Sequence, residues 1–393
     1  MFNIKLFSDL VPNSNILKLL IFSLLITFSA ERGLFTFFLH ENNYTISQIS
    51  FIQICFSMSL FFFEIPTGYF ADRFGRLSSL YIGAILKTIS LLGQYFFVNS
   101  FIVETIFFIL GALALSFISG SVTSIIYQDL KDNSKEYLFG GIFSLLQFFC
   151  SLSLGLSMIF ANSILKNYNW FGIYFITSIV TLSSIFFILK IKIKINNNMN
   201  NENKFEIKDI AKELIFILPK SLPFSIIYAA MTPYFLYSSI LFNSQGFDKG
   251  FSSAIVGFIE IAGAIFTLII LYHLKKISYK YAYIFVSIIS FFMFFNFIYN
   301  PFMAIIAFLI ANSTVLLIDV LYHNYINDEI RDDRIRTSVL SAVSFLDMLC
   351  ISIGFYIYGL LAMKFNPMLT MSYLSIFPLI SAIILFLIRI KKQ

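Results

Sequence analysis

The stretch Glu64-Ile-Pro-Thr-Gly-Tyr-Phe-Ala-Asp-Arg-Phe-Gly-Arg76 closes one long apolar run and is followed at once by another. It carries Glu64, Asp72, Arg73 and Arg76 within a few residues, with glycines at 68 and 75. A lone Asp-Arg pair would say little. Here Gly68, Asp72, Arg73, Gly75 and Arg76 stand in a fixed order between two segments long enough to cross a membrane. The spacing predicts two helices joined at a membrane face by a tight charged turn. Gly68 is expected to permit close helix approach and Gly75 the turn itself.

The rest of the chain agrees with a lipid setting. It is 59% hydrophobic, 19% aromatic and only 12% charged, with a mean hydropathy of +0.85. Soluble domains average about 25% charged residues, so this chain cannot hide its apolar surface in water. The first apolar run continues past Glu31-Arg32 and has no small-residue cleavage site, so it reads as a span and not as a removable leader. Cys55, Cys150 and Cys350 lie in apolar runs without metal-ligand spacing, which suits small buried hydrophobes.

A spanning helix needs roughly 20 apolar residues. Polar breaks predict spans 1–6 near 16–39, 46–70, 77–98, 101–126, 138–161 and 168–190. Spans 7–12 fall near 213–242, 251–274, 278–299, 301–326, 337–361 and 367–388. Of the 27 Lys and Arg, the loops on one side hold only Lys166, Lys249 and Lys364, and Arg32, Lys87 and Lys220 fall within spans. The remainder cluster on the other side, so both termini are expected in the cytoplasm. That asymmetry accounts for the net charge of +6 without a nucleic-acid partner. The polar stretch 191–212 divides the chain into six-helix halves, 1–190 and 213–393. Phe143-Ser-Leu-Leu-Gln147 and Val343-Ser-Phe-Leu-Asp347 match in pattern at an offset that pairs spans 5 and 11.

The charged turn resembles the loop between helices 2 and 3 of major facilitator superfamily transporters, Gly-x-x-x-Asp-Arg-x-Gly-Arg. Glu64-Ile-Pro-Thr-Gly68 resembles a variant in drug-efflux-like and uncharacterised bacterial members. The counterpart loop between spans 8 and 9 has decayed to His273-Leu-Lys-Lys-Ile-Ser-Tyr-Lys280. Ser119–Gln128 is similar to a helix 4 segment that often carries acids where this chain has Thr123 and Gln128. The resemblance implies an all-α membrane fold of twelve helices in two pseudo-symmetric six-helix bundles, working by alternating access around a mid-membrane site. It also implies that the 2–3 loop acts as a cytoplasmic gate latch, with Asp72 near the start of helix 11 and Arg73 and Arg76 holding acidic partners or lipid.

Charges inside spans cost at least about 2.5–3.5 kcal/mol each unless paired or hydrated, so they mark function or pairing. Asp347 and Glu260 are the leading candidates for proton coupling, followed by Glu31 and Glu64. Glu64 and Lys87 are expected at one depth on antiparallel neighbours, as a neutralising pair. Lys220 and Asp319 form another possible pair. Arg32, Gln147, Tyr228, Tyr234 and Asn312 are candidates for the substrate cavity, and Pro219, Pro223 and Pro233 are expected to kink span 7.

Enzymatic readings find little support. His40-Glu-Asn-Asn-Tyr does not complete a zinc helix, and no glycine-rich phosphate loop is present. Neither a metal nor a cofactor is expected. The sequence reads as a multi-pass transporter of the plasma (inner) membrane, monomeric, with a small-molecule substrate, protons and lipid as partners. Proton-coupled export of an amphiphilic or apolar compound is preferred. A proton-coupled importer or uniporter of a polar nutrient, or a non-transporting receptor or assembly protein, are the alternatives.

Overall fold

The computed structural model describes residues 14–135, 138–189, 191, 207–273, 282–295, 300–330 and 336–391, and no strand occurs among them. Among the described residues nine helices are long and apolar enough to cross a bilayer. One of these, Phe139–Ile188, is two crossings, because the backbone leaves helical geometry at Asn169 (φ 56°, ψ −162°). Asn tolerates that positive φ better than most side chains. The turn between spans 5 and 6 thus lies at Asn169, beyond the 162–167 expected from polarity. The shorter apolar helices Ser14–Thr27 and Ala282–Phe294 complete twelve crossings. Most of the 191–212 linker and the 8–9 loop lie outside the described residues.

Two compact units result: Met1–Asn43 with Ser59–Asn196, and Tyr44–Met58 with Asn197–Gln393. Lipid gives helices no hydrophobic reason to associate, so small residues and interhelical hydrogen bonds must hold each unit together. In the first unit Gly83 of helix Arg76–Phe96 sits so close to helix Phe101–Asp132 that an added Cβ would lie 2.9 Å from the Ala114 carbonyl oxygen. Beside it, Ser79 Oγ donates to the Phe117 carbonyl at 2.7 Å. Thr67 Oγ1 donates to the Ser116 carbonyl at 3.2 Å, and Ser116 Oγ to the Leu60 carbonyl at 3.1 Å.

Span 1 is interrupted. Helix Ser14–Thr27 stops, turns through residues 28–34, and resumes as Phe35–Glu41. A helix end leaves carbonyls without intrahelical partners, and side chains from other spans meet them. Lys87 Nζ donates to the Ile26 carbonyl at 2.5 Å, and Ser153 Oγ to the Leu24 carbonyl at 2.5 Å. A cation at a helix C-terminus also complements its dipole, which gives Lys87 a place inside the bundle.

In the second unit span 7 is likewise broken, at Tyr237 between helices Ile207–Leu236 and Ser238–Ser244. Pro219, Pro223 and Pro233 all lie inside the first of these. Proline has no N–H, so Pro233 leaves the Ala229 carbonyl without its usual partner. Gly354 of helix Arg336–Ala362 rests on that carbonyl, where a Cβ would be 1.8 Å from the oxygen. The Pro223 carbonyl additionally accepts from Ser381 Oγ at 2.6 Å. Spans 10 and 12 each begin with an Asn N-cap followed by Pro: Asn300 caps Phe302 and Met303, and Asn366 caps Leu369.

Candidate functional site

Among the described residues of the second unit, charged and hydroxyl groups gather where helices Ile207–Leu236, Pro301–Glu329 and Arg336–Ala362 meet. Asp347 stands about three turns into the last of these. Its Oδ1 accepts from Ser225 Oγ at 2.5 Å and from Tyr322 OH at 3.2 Å. Ser225 and Tyr322 are both buried, so these donors are fixed in place. One layer away Tyr228 OH donates to Asp319. Phe224 stacks on Tyr322 at 4.9 Å and 18°, and Tyr228 lies 6.1 Å from Tyr322. Two carboxylates, two phenol hydroxyls and stacked rings therefore share one surface. Such a cluster has the chemistry to hold a proton or to meet a cationic group, with the tyrosine hydroxyls as orienting donors.

Lys220 and Glu329 form an ion pair between the same two helices, the ammonium also lying 3.2 Å from the Phe216 ring centroid. This corrects the expectation that Lys220 meets Asp319. Asp319 stands ten residues before Glu329, about 15 Å along the helix, and accepts from Tyr228 instead.

The charged turn behaves as its glycines predict at one position and differently at the other. Gly75 has φ 98° and breaks the chain between helices Ile46–Phe74 and Arg76–Phe96. Gly68 has nothing within 4 Å of where a Cβ would be, so it faces open space and makes no close helix contact. Arg76 Nη1 donates to the Ser124 carbonyl at 3.2 Å and to Gln128 Oε1 at 2.8 Å. Gln128 thus supplies the acceptor at a position where an acid was the expected residue. Arg73 is exposed, 3.4 Å from Tyr69 OH and 5.4 Å from the Phe74 ring. The side chain of Asp72 lies outside the described residues, as do those at the start of helix 11.

The family model for the Major Facilitator Superfamily matches residues 19–355. The chain belongs to that superfamily. Among solved structures it is similar to a D-xylose-proton symporter, at 14% identity with a TM-score of 0.75, covering 97% of each chain. It is also similar to the nucleoside transporter NupG, at 15% identity with a TM-score of 0.71, covering 98% of this chain and 99% of that one. A third likeness is to the inward-open xylose transporter XylE from E. coli, at 14% identity and a TM-score of 0.71, covering 97% and 95%. No curated protein sequence matches. At these identities the likeness concerns the fold: twelve membrane-spanning helices in the arrangement of this superfamily.

Within the superfamily fold the other candidate residues take varied places. Glu260 accepts from Asn312 Nδ2 at 3.1 Å, both buried between helices Lys249–His273 and Pro301–Glu329. Asn312 therefore serves Glu260 and does not line an open cavity. Tyr234 is likewise buried, its ring 5.0 Å from Phe308, in packing and not in a cavity wall. Gln147 is exposed on the face that also presents Gly140 and Ser144.

The Glu64–Lys87 pair does not form. Glu64 is exposed, whereas Lys87 is buried on the Ile26 carbonyl and 3.1 Å from Ser29 Oγ. Equal depth left the azimuth open, and each helix turns 100° per residue. Lys87 instead shares its surroundings with Glu31 and Arg32, which stand in the interrupted part of span 1. Composition gave no sign of Ser225, Tyr322 and Glu329 as partners, because each approaches from a helix remote in sequence.

Proposed function

We propose that the chain is a secondary active transporter that exports a small amphiphilic or apolar compound in exchange for protons. The observation that carries this reading is Asp347 inside its span, held by Ser225 and Tyr322, with the Tyr228–Asp319 pair beside it. A carboxylate kept away from the membrane faces and gripped by neutral donors can take up a proton in one state and release it in another. The partly exposed Tyr228 ring, 6.1 Å from Tyr322, suits an apolar or cationic guest next to that carboxylate. Alternation would come from the halves 1–190 and 213–393 rocking about the site, joined by the 191–212 linker. The 2–3 loop, with Gly68, Asp72, Arg73, Gly75 and Arg76, would serve as the cytoplasmic latch. Export is favoured by the resemblance of Glu64-Ile-Pro-Thr-Gly68 to efflux-like members. The protein would act as a monomer in the plasma (inner) membrane with both termini in the cytoplasm.

Everted vesicles containing the chain, with an imposed pH gradient, test direction and substrate class together. A panel of lipophilic cations and neutral amphiphiles should accumulate inside while the gradient runs down. Accumulation confined to right-side-out vesicles contradicts export. Movement of compounds that ignores the gradient contradicts coupling.

A further inference from the structure

Glu104 lies in the first turn of helix Phe101–Asp132. The structure buries it completely, at 0% exposure, and neither carboxylate oxygen has a hydrogen-bond partner. Tyr174, 1% exposed, has no partner for its hydroxyl either, and it stands within electrostatic reach of both Glu104 and Glu31. Phe38 packs on Tyr174 at 4.8 Å and closes this region with Tyr95 and Trp170. Deeper in the same unit, Glu31 Oε2 is buried and unpartnered, with Lys87 and Arg32 as the cations that act on it. Neither cation acts on Glu104.

An ionised carboxylate with no donor and no counter-charge is among the most costly groups to keep out of water, and neutralisation by a proton relieves that cost. Glu104 is three residues from its helix start, at a depth of about 5 Å at 1.5 Å per residue. Lys87, at 9% exposure, lies beyond Glu31 on the Ile26 carbonyl.

We propose that Glu104 is a second proton site, in the first unit and separate from Asp347, closed off by Tyr174 and the Phe38 ring packed on it. Glu104 holds a proton near the membrane face. The Tyr174 hydroxyl stands within electrostatic reach of it and is itself without a hydrogen-bond partner. The inference extends the proton-coupled reading above, and its test does not depend on transport. Infrared difference spectra of the full chain in lipid nanodiscs, taken between neutral and alkaline pH, should show a protonated-carboxyl band. Glu104→Gln, which keeps the shape of the neutral acid, should remove the band, and Tyr174→Phe should displace it. A spectrum unchanged by Glu104→Gln overturns the proposal. So does a band that disappears on adding sodium at fixed pH, which would make the occupant a metal cation. Transport lost in Asp347→Asn with the Glu104 band intact would leave this site standing, and the converse would leave only the Asp347 reading.

Discussion

Gly354→Ala tests the seam on which the Asp347 site depends. A Cβ at this position would lie 1.8 Å from the Ala229 oxygen and 2.6 Å from its carbonyl carbon. Carbon and carbonyl oxygen rest at about 3.3 Å or more, so the overlap is about 1.5 Å. Both partners are backbone, and no side-chain rotation relieves the clash. Helices Ile207–Leu236 and Arg336–Ala362 must move apart. Overpacking typically costs about 1–3 kcal/mol, and a backbone clash of this depth belongs at the upper end. A loss of about 3 kcal/mol corresponds to roughly a 100-fold change in the folding equilibrium. Asp347 is two turns before Gly354 and on the same face of its helix, so the separation also lengthens the Ser225 hydrogen bond. Detergent unfolding titrations of purified protein measure the stability, with Gly120→Ala as control. Gly120 has nothing within 4 Å of its Cβ position and should gain about 0.5–1 kcal/mol from better helix propensity. If Gly354→Ala proves as stable as Gly120→Ala, the close seam and the reasoning built on it are refuted.

Three further outcomes follow from single contacts. Ser225→Ala removes one donor from Asp347, and at about 1.5–3 kcal/mol for a hydrogen bond to a charged group, gradient-driven flux should fall roughly 10-fold or more. Lys220→Met leaves Glu329 partly buried without its cation, while Lys220→Met with Glu329→Met should recover stability; a double-mutant cycle is expected to give a coupling of about 1 kcal/mol or more. Arg76→Ala and Gln128→Ala should destabilise by amounts that do not add, since each breaks the same 2.8 Å contact, whereas exposed Arg73→Ala should leave the melting temperature unchanged.

The twelve crossings were legible because lipid imposes length and apolarity on every span, and the charged turn located the boundary between spans 2 and 3. Breaks inside spans were not. Residues 28–34 and Tyr237 interrupt spans 1 and 7 inside stretches whose polarity pattern reads as single spans, and Lys87 finds its carbonyl only because the first break exists. Asp347 and Glu260 were visible as acids in apolar surroundings, but their donors sit on other helices. Ser225 is separated from Asp347 by 122 positions, and no local pattern brings them together. Glu64 and Lys87 show the limit from the other side: sequence spacing suggested a pair, while the fold leaves Glu64 exposed and buries Lys87 on the Ile26 carbonyl. Glu104 escaped notice because a charge in the first turn of a span reads as an interface residue, and only the packing of Phe38 and Tyr174 shows it to be buried.

Proton flux into liposomes containing the purified chain, recorded as candidate compounds are added, tests the coupled-transport account most directly. The account predicts compound-dependent proton movement in the wild type and its loss in Asp347→Asn. Compound movement without any proton signal, or an Asp347→Asn variant that matches the wild type, would contradict it.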